Sequence, residues 1–153
     1  MITRGTRRLY IGIAVAVVAL LVPGLAGAAA AKKKHKVDIA VSAAVVGTSG
    51  NSNTVAGTLS GKPVGEGAVV YRTKPSGSDI AATYTAFAKA GTLRGTTLVT
   101  PAAQPDGTTT FTGTLQVKGG TGRYRGAKGR NLKLVGTLAN NILKFQITGT
   151  VRY

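Results

Sequence analysis

Beyond residue 36 the apolar side chains recur at every second position and almost nowhere at helical spacing. The last segment shows this most clearly, because Leu143, Phe145 and Ile147 alternate with Lys144 and Gln146. Strict alternation is typical of a β-strand with one buried face. The sequence therefore predicts eight strands, at 37–46, 53–60, 65–74, 79–89, 91–100, 107–118, 127–138 and 142–153.

Short turn signals separate these strands, among them Gly50-Asn51, Asp106-Gly107 and Asn140-Asn141. Connections this short join antiparallel neighbours, and no amphipathic helical pattern is present to cover an open sheet. Eight antiparallel strands can instead close on themselves, which removes the exposed sheet edges. We therefore predict an all-β protein, an eight-stranded antiparallel closed β-barrel whose interior is filled by side chains or holds one small ligand.

A short internal repeat supports a closed sheet. Five segments read Gly-Thr-Leu or Gly-Thr-Val, and in four of them the glycine falls on the apolar parity of its strand. A glycine on the buried face lets a strand bend sharply and lets a closed sheet coil tightly. The repeats begin at Gly57, Gly91, Gly113, Gly136 and Gly149.

A crowded glycine turn spans residues 119–129 and reads Gly-Gly-Thr-Gly-Arg-Tyr-Arg-Gly-Ala-Lys-Gly. Its glycines permit a bulge and a tight turn between two strands. Because Tyr124 is the only bulky apolar group in this turn, we expect it to fold over one end of the core. Arg123 and Arg125 are then expected to face water, and Ala127 is small enough to let the next strand close in.

This turn, its flanking strands and the closing segment 149–153 resemble the barrel domain of allene oxide cyclases, dirigent proteins and related small secreted bacterial proteins. The resemblance covers roughly Val37 to Tyr153, and Lys128 stands where dirigent proteins usually carry arginine. It implies a calycin-like barrel, a small hydrophobic or aromatic ligand in the lumen and a homo-oligomer. Allene oxide cyclases are isomerases and dirigent proteins steer radical coupling. The sequence leaves open whether this chain catalyses an isomerase-like or stereo-directing reaction, and it favours a non-catalytic protein.

Four acidic residues are present, and three of them fall at polar or turn positions. Glu66 is different, because its segment, 65–72, is apolar enough on both parities for either to face inward. An unpaired carboxylate inside an apolar barrel costs several kcal/mol and needs a partner or a purpose. The resemblance implies that Glu66, Tyr71 and Tyr84 are polar members of a ligand cavity. The alternative is that both tyrosines are core residues with hydrated hydroxyls and that Glu66 lies at the rim.

Several kinds of chemistry are excluded by composition. The chain has no cysteine, so disulfides, thiol nucleophiles and thiolate metal sites are absent. Its only histidine, His35, lies among lysines in a segment that we interpret as a mobile tail, where no catalytic triad can be held. We therefore predict no catalytic residues, no metal site and no cofactor.

The N-terminus has the layout of a secretory signal peptide. Arg4, Arg7 and Arg8 precede an apolar run, Pro23-Gly24 follows it, and small residues then offer cleavage sites near Ala28 to Ala31. We predict a signal helix in residues 1–28, a basic flexible tail at 29–36, a barrel domain at 37–153 and a secreted or cell-envelope protein. A retained membrane anchor is the alternative, because residues 9–31 could span a bilayer. Export by the general or the twin-arginine route stays open.

Charge suggests a second function. The chain carries 20 Lys and Arg against four acids, a net charge of +16, so its surface attracts anions without specificity. Aromatics are few and sit at strand positions, which argues against a specific nucleic-acid site. The alternative is a non-catalytic envelope protein bound electrostatically to anionic wall polymers or lipid head groups. An apolar cavity of a few hundred Å³ favours the ligand binder, whereas a solid lumen with lysines clustered on one outer patch favours the alternative.

Overall fold

A computed structural model describes residues 31–153, which form one closed barrel of antiparallel strands. Each strand pairs with the next along the chain, and the last pairs with the first. The predicted all-β closed barrel is therefore confirmed, whereas the predicted signal helix at 1–28 lies outside the described residues. The strands are β1 (Lys34–Ser49), β2 (Ser52–Lys62), β3 (Gly67–Ser76), β4 (Asp79–Ala88), β5 (Gly91–Ala103), β6 (Thr109–Gly120), β7 (Gly129–Ala139) and β8 (Ile142–Arg152).

Strands β1 and β8 close the barrel. Their register runs from Lys34 opposite Arg152 to Ala43 opposite Leu143. Beyond the ladder, the backbone N–H of Lys33 donates to the Tyr153 carbonyl at 3.1 Å. Because every strand has a partner on both sides, no sheet edge is left open within residues 31–153.

Strand β1 begins three residues before its predicted start. Lys34, His35 and Lys36 pair with the end of β8, so they belong to the barrel and not to a flexible tail. The His35 ring also stacks on Tyr153, with ring centroids 4.1 Å apart and planes 11° apart. The alternation rule missed these residues because lysine side chains gave no apolar signal, although the β8 backbone offers them hydrogen-bond partners.

The core fills the interior of the barrel with alternate residues from all eight strands. On β1, for example, Val37, Ile39, Val41 and Ala43 are buried while the residues between them are exposed. This is the two-residue period on which the strand prediction rests. The most deeply buried large side chains of the core are Tyr124, Leu132, Leu134, Val69 and Val151.

One end of the barrel is sealed by two connections. Val64, in the β2–β3 connection, is buried, and so are Tyr124 and Ala127 in the β6–β7 connection, whereas Arg123 and Arg125 are exposed. This confirms the predicted role of the glycine turn. We call this the closed end and the opposite one the open end. The β6–β7 connection contains a 3₁₀ turn at Gly122–Tyr124, and no helix within residues 31–153 is long and apolar enough to cross a membrane.

Two glycines of the barrel wall make room for aromatic rings. Gly136 lies opposite Phe145 across the β7–β8 ladder, and a Cβ at Gly136 would collide with the Phe145 ring. Gly95 lies opposite Tyr84, and a Cβ there would come 2.9 Å from Cε1 of the tyrosine. Glycine on the inward parity therefore also creates the space that the lumen rings occupy.

We predict that Gly136→Ala destabilises the barrel, because the new methyl group collides with the Phe145 ring and the Lys144 carbonyl. The expected loss is about 1–3 kcal/mol in the free energy of unfolding, measured by denaturant titration. Gly47→Ala is the matched control, since nothing lies within 4 Å of a Cβ at Gly47. Equal stability of the two variants would contradict this account of the wall.

Candidate ligand-binding site

Four aromatic rings from four different strands cross the middle of the lumen. Tyr71 lies at their centre, with its ring centroid 6.0 Å from that of Tyr84 and 6.2 Å from that of Phe145. Phe145 meets Phe111 edge-on at 6.0 Å. Because Tyr71 and Tyr84 are only 4% and 7% exposed, these rings form an internal partition between the two ends of the barrel.

A cavity of about 180 Å³ lies between this partition and the open end. Tyr71, Phe111 and Phe145 line it together with aliphatic side chains of six strands, including Val55 and Val99. Its polar lining is limited to Asn53, Thr73, Thr97 and the tyrosine. A concave, mostly apolar space with a few polar groups is the usual form of a small-molecule site.

The closed half of the lumen is packed. The space there is about 40 Å³, surrounded by aliphatic side chains such as Val41, Leu115 and Ile147 and capped by Pro63 and Val64. This is less than a quarter of the volume on the other side of Tyr71. The room for a ligand in the lumen therefore lies at the open end.

The cavity threonines already donate their hydrogen bonds. Thr97 Oγ1 donates to the Thr114 carbonyl at 2.8 Å, so the hydroxyl of this buried threonine has a hydrogen-bond partner. Thr73 Oγ1 donates to the Asn53 carbonyl at 3.3 Å. Both hydroxyls can still accept a hydrogen bond from a guest molecule.

The two lumen tyrosines differ in their hydroxyl groups. Tyr84 Oη donates to the Gln116 carbonyl at 3.3 Å. Within residues 31–153 we find no hydrogen-bond partner for the Tyr71 hydroxyl, and burial is the one cause that raises its pKa. Its oxygen is also not completely buried. Among the side-chain N and O atoms of these residues, only the Tyr153 hydroxyl is both completely buried and without a hydrogen-bond partner. Tyr71 lines both the cavity and the packed half of the lumen, and its hydroxyl has a free donor there.

Both tyrosines remain neutral at physiological pH. Burial raises the pKa of Tyr71 well above its ordinary value of 10.0. For Tyr84, burial and then the nearby Tyr71 raise the pKa in the same direction. A neutral phenol can donate a hydrogen bond, whereas a phenolate can only accept one.

Glu66 does not share the lumen with the tyrosines. It lies in the β2–β3 connection, one residue before β3, and its side chain is exposed. It borders an open outer groove of about 1070 Å³, whose other lining residues include Ser42, Thr58, Thr137 and Gln146. This groove is open to solvent and has no buried polar side chain, so it is a weaker candidate than the cavity. Of the three predicted ligand contacts, Tyr71 alone lines the cavity, and Tyr84 reaches it only through contact with Tyr71.

Sequence reasoning missed Phe111, Phe145 and Thr97 as cavity residues. Alternation placed both phenylalanines on inward faces but could not show which rings meet across the barrel. A usable signal was Gly136, which faces Phe145 and marks the position of a large ring. Elsewhere in residues 31–153, no three His, Asp or Glu side chains come together as a metal site would require.

Comparisons with protein-family models, with curated proteins and with solved structures found no match to this chain.

We predict different stability effects for two matched substitutions. Tyr84→Phe removes the hydrogen bond to Gln116 and should lower the free energy of unfolding by about 1 kcal/mol. Tyr71→Phe removes no hydrogen bond within the described residues, so its stability should be unchanged or slightly higher. Chemical denaturation of both variants tests this, and a larger loss for Tyr71→Phe would refute the assignment of the hydroxyls.

The buried tyrosines also predict a pH dependence. Their folded pKa values lie above 10.0, so their contribution to stability is complete below pH 10 and is lost as the unfolded chain ionises above it. Each tyrosine should add a downward slope of about 1.4 kcal/mol per pH unit above that point. Unfolding measured from pH 8 to 11 should therefore show a flatter decline for the double Tyr71→Phe, Tyr84→Phe variant. Parallel declines would contradict the burial of these hydroxyls.

Proposed function

We propose that the protein is a binding protein for a compact, largely aromatic small molecule, which occupies the cavity at the open end of the barrel. The observation that carries this proposal is the 180 Å³ space on one side of Tyr71, next to a packed closed half. Natural cores are close-packed, so a void of this size in an otherwise well-filled barrel calls for an occupant.

The volume of the cavity limits the size of the ligand. A dry cavity of about 150 Å³ lined by aliphatic and aromatic groups accommodates benzene. A space of 180 Å³ therefore suits a single aromatic ring with a small substituent, and it is too small for a long-chain fatty acid. The rings of Phe111 and Phe145 offer edge and face contacts to such a guest.

The polar groups suggest where a substituent would point. The free Tyr71 hydroxyl can donate to an oxygen of the guest, and the donor-satisfied Thr97 can accept from one. A phenol or a similar ring with one hydroxyl or carbonyl group uses both. Val45 and Ile142 are about half exposed at the open end, and they give an apolar guest a compatible rim.

The family and the compartment belong to the same proposal. A closed eight-stranded barrel in sequential order is what the resemblance to allene oxide cyclases and dirigent proteins implies, and a single-ring phenolic guest is compatible with it. The layout of residues 1–28 supports export with removal of a signal peptide. We propose binding without catalysis, because the cavity contains no carboxylate and no histidine.

A cavity-filling substitution tests the site. Ala82 lines the cavity, and Ala86 faces the packed half of the lumen from the same strand, four residues further on. We expect Ala82→Leu to abolish binding of phenol and toluene while keeping or raising the melting temperature. Ala86→Leu should instead overpack the core and cost about 1–3 kcal/mol. Isothermal titration and thermal denaturation measure both effects.

Tyr71→Phe separates the polar contribution from the apolar one. This change should weaken the binding of phenol roughly fivefold, because one hydrogen bond contributes about 1 kcal/mol, and it should leave the binding of toluene unchanged. Failure of the wild-type protein to bind any single-ring compound, or undiminished binding by Ala82→Leu, would refute the proposed site.

A further inference from the structure

The cations of the barrel are concentrated at its closed end. Residues 31–153 contain seventeen Lys and Arg. Twelve of them lie either among the three strand residues nearest the closed end or in the segments that adjoin the strands there. All twelve side chains are exposed, and Glu66 is the only acid in the same zone. These twelve residues, which we call the basic pole, are Lys32, Lys33, Lys34, Lys36, Lys62, Lys89, Lys118, Arg123, Arg125, Lys128, Arg130 and Arg152.

At the open end, by comparison, the positive and negative charges are equal in number. The same criterion there selects two cations, Lys74 and Lys144, and two acids, Asp79 and Asp106. The charge of the barrel is therefore polarised along its axis and not spread evenly over the surface.

Protein carboxylates do not neutralise the basic pole. Asp38, Asp79 and Asp106 accept hydrogen bonds from the Gln146 amide, the Thr100 hydroxyl and the Thr108 hydroxyl, respectively. No salt bridge is formed within residues 31–153. Two pole lysines donate only to main-chain carbonyls, Lys32 to Gly126 and Lys128 to Lys118. Cations this close repel one another, since charges in physiological salt interact over a screening length of about 8–10 Å. Binding of an external anion lowers this repulsion.

The arrangement of the pole selects a flat partner. Its cations come from the ends of five strands and from the connections between strands, so they surround the end of a tube roughly 15 Å across. A linear polyanion can follow one side of such a ring, whereas a planar anionic surface meets the whole ring at once. The ring therefore favours the surface of a bilayer.

An exposed aromatic residue lies beside the pole. Phe87 is 48% exposed near the closed end of β4, two residues before Lys89. An aromatic side chain next to cations gains from the boundary between lipid head groups and acyl chains, and it gains little from a dissolved polyanion. Among residues 31–153, the other exposed large hydrophobic residues lie at the open end or on the side of the barrel.

From these observations we propose that the closed end of the barrel docks on a bilayer surface rich in anionic phospholipids, so that the cavity mouth faces away from the membrane. Docking needs neither a ligand nor residues 1–30. The proposal therefore stands or falls separately from the function proposed above.

The test compares two variants of equal net charge. Residues 31–153 contain every strand and the complete closed ladder and form a compact unit by themselves, so this fragment is used throughout. The pole variant carries Lys62→Gln, Lys89→Gln, Arg123→Gln and Arg125→Gln. The control variant carries Arg72→Gln, Lys74→Gln, Lys133→Gln and Lys144→Gln, which are exposed and lie outside the pole. Both lose four charges, and circular dichroism and thermal melting check that both remain folded.

Binding is measured by co-sedimentation with vesicles of phosphatidylcholine containing 30% phosphatidylglycerol, without any ligand. At roughly fivefold per cation near an anionic surface, the pole variant should bind several hundred times more weakly than the wild type. The control variant should lose less than about tenfold. Equal losses would show that net charge alone acts, and they would overturn the proposed orientation.

Two further measurements distinguish a bilayer from a dissolved polyanion. Phe87→Thr should weaken vesicle binding several-fold, whereas Leu98→Thr, a change at a similarly exposed residue on the side of the barrel, should not. Neither change should affect binding to soluble polyphosphate. If polyphosphate binds as tightly as the vesicles at equal phosphate concentration and Phe87→Thr changes nothing, the partner is a soluble polyanion and the bilayer proposal is wrong.

Discussion

The pairing of β1 with β8 is the constraint on which the rest of this structure depends. Once the first and last strands are joined in a fixed register, every strand has two neighbours and every second side chain must point into a lumen of limited diameter. The inward residues must then fill that lumen without colliding. Glycine at positions 95 and 136 meets this requirement, because the absence of a side chain there leaves space for the aromatic ring on the opposite strand.

Closure also explains why the two ends of the barrel differ. At one end, the β2–β3 and β6–β7 connections carry Val64 and Tyr124 over the lumen, and the aliphatic side chains beneath them leave almost no space. At the other end, tight turns such as that at Asn140 and Asn141, both with positive φ, leave the lumen uncovered. The closed end carries the positive charge and the open end carries the cavity. The two proposals thus place membrane attachment and ligand binding at opposite ends of the same barrel.

Much of this architecture could be predicted from alternation alone, because a two-residue period determines which face of each strand is buried. The composition of the glycine turn, in which Tyr124 is the only bulky apolar group, predicted that Tyr124 covers one end. It could not locate the start of β1, where lysines carry no apolar signal and the β8 backbone decides the pairing. Nor could it place Glu66, whose segment is apolar on both parities. The cavity itself was beyond sequence reasoning, because it depends on how the rings of Tyr71, Phe111 and Phe145 meet across the barrel.

The continuous ladder has a consequence for motion. A strand at the border of an open sheet can fray by breaking the bonds on one side only, but each strand here is held on both sides. Partial opening must therefore break two ladders at once, and this leaves few subglobal states between the native barrel and the unfolded chain. Amide protons in all eight strands are then expected to exchange with solvent through one common opening event, at similar protection. If the proposed ligand binds in the cavity, it has to enter and leave through the uncovered end, since the wall cannot part locally to admit a guest.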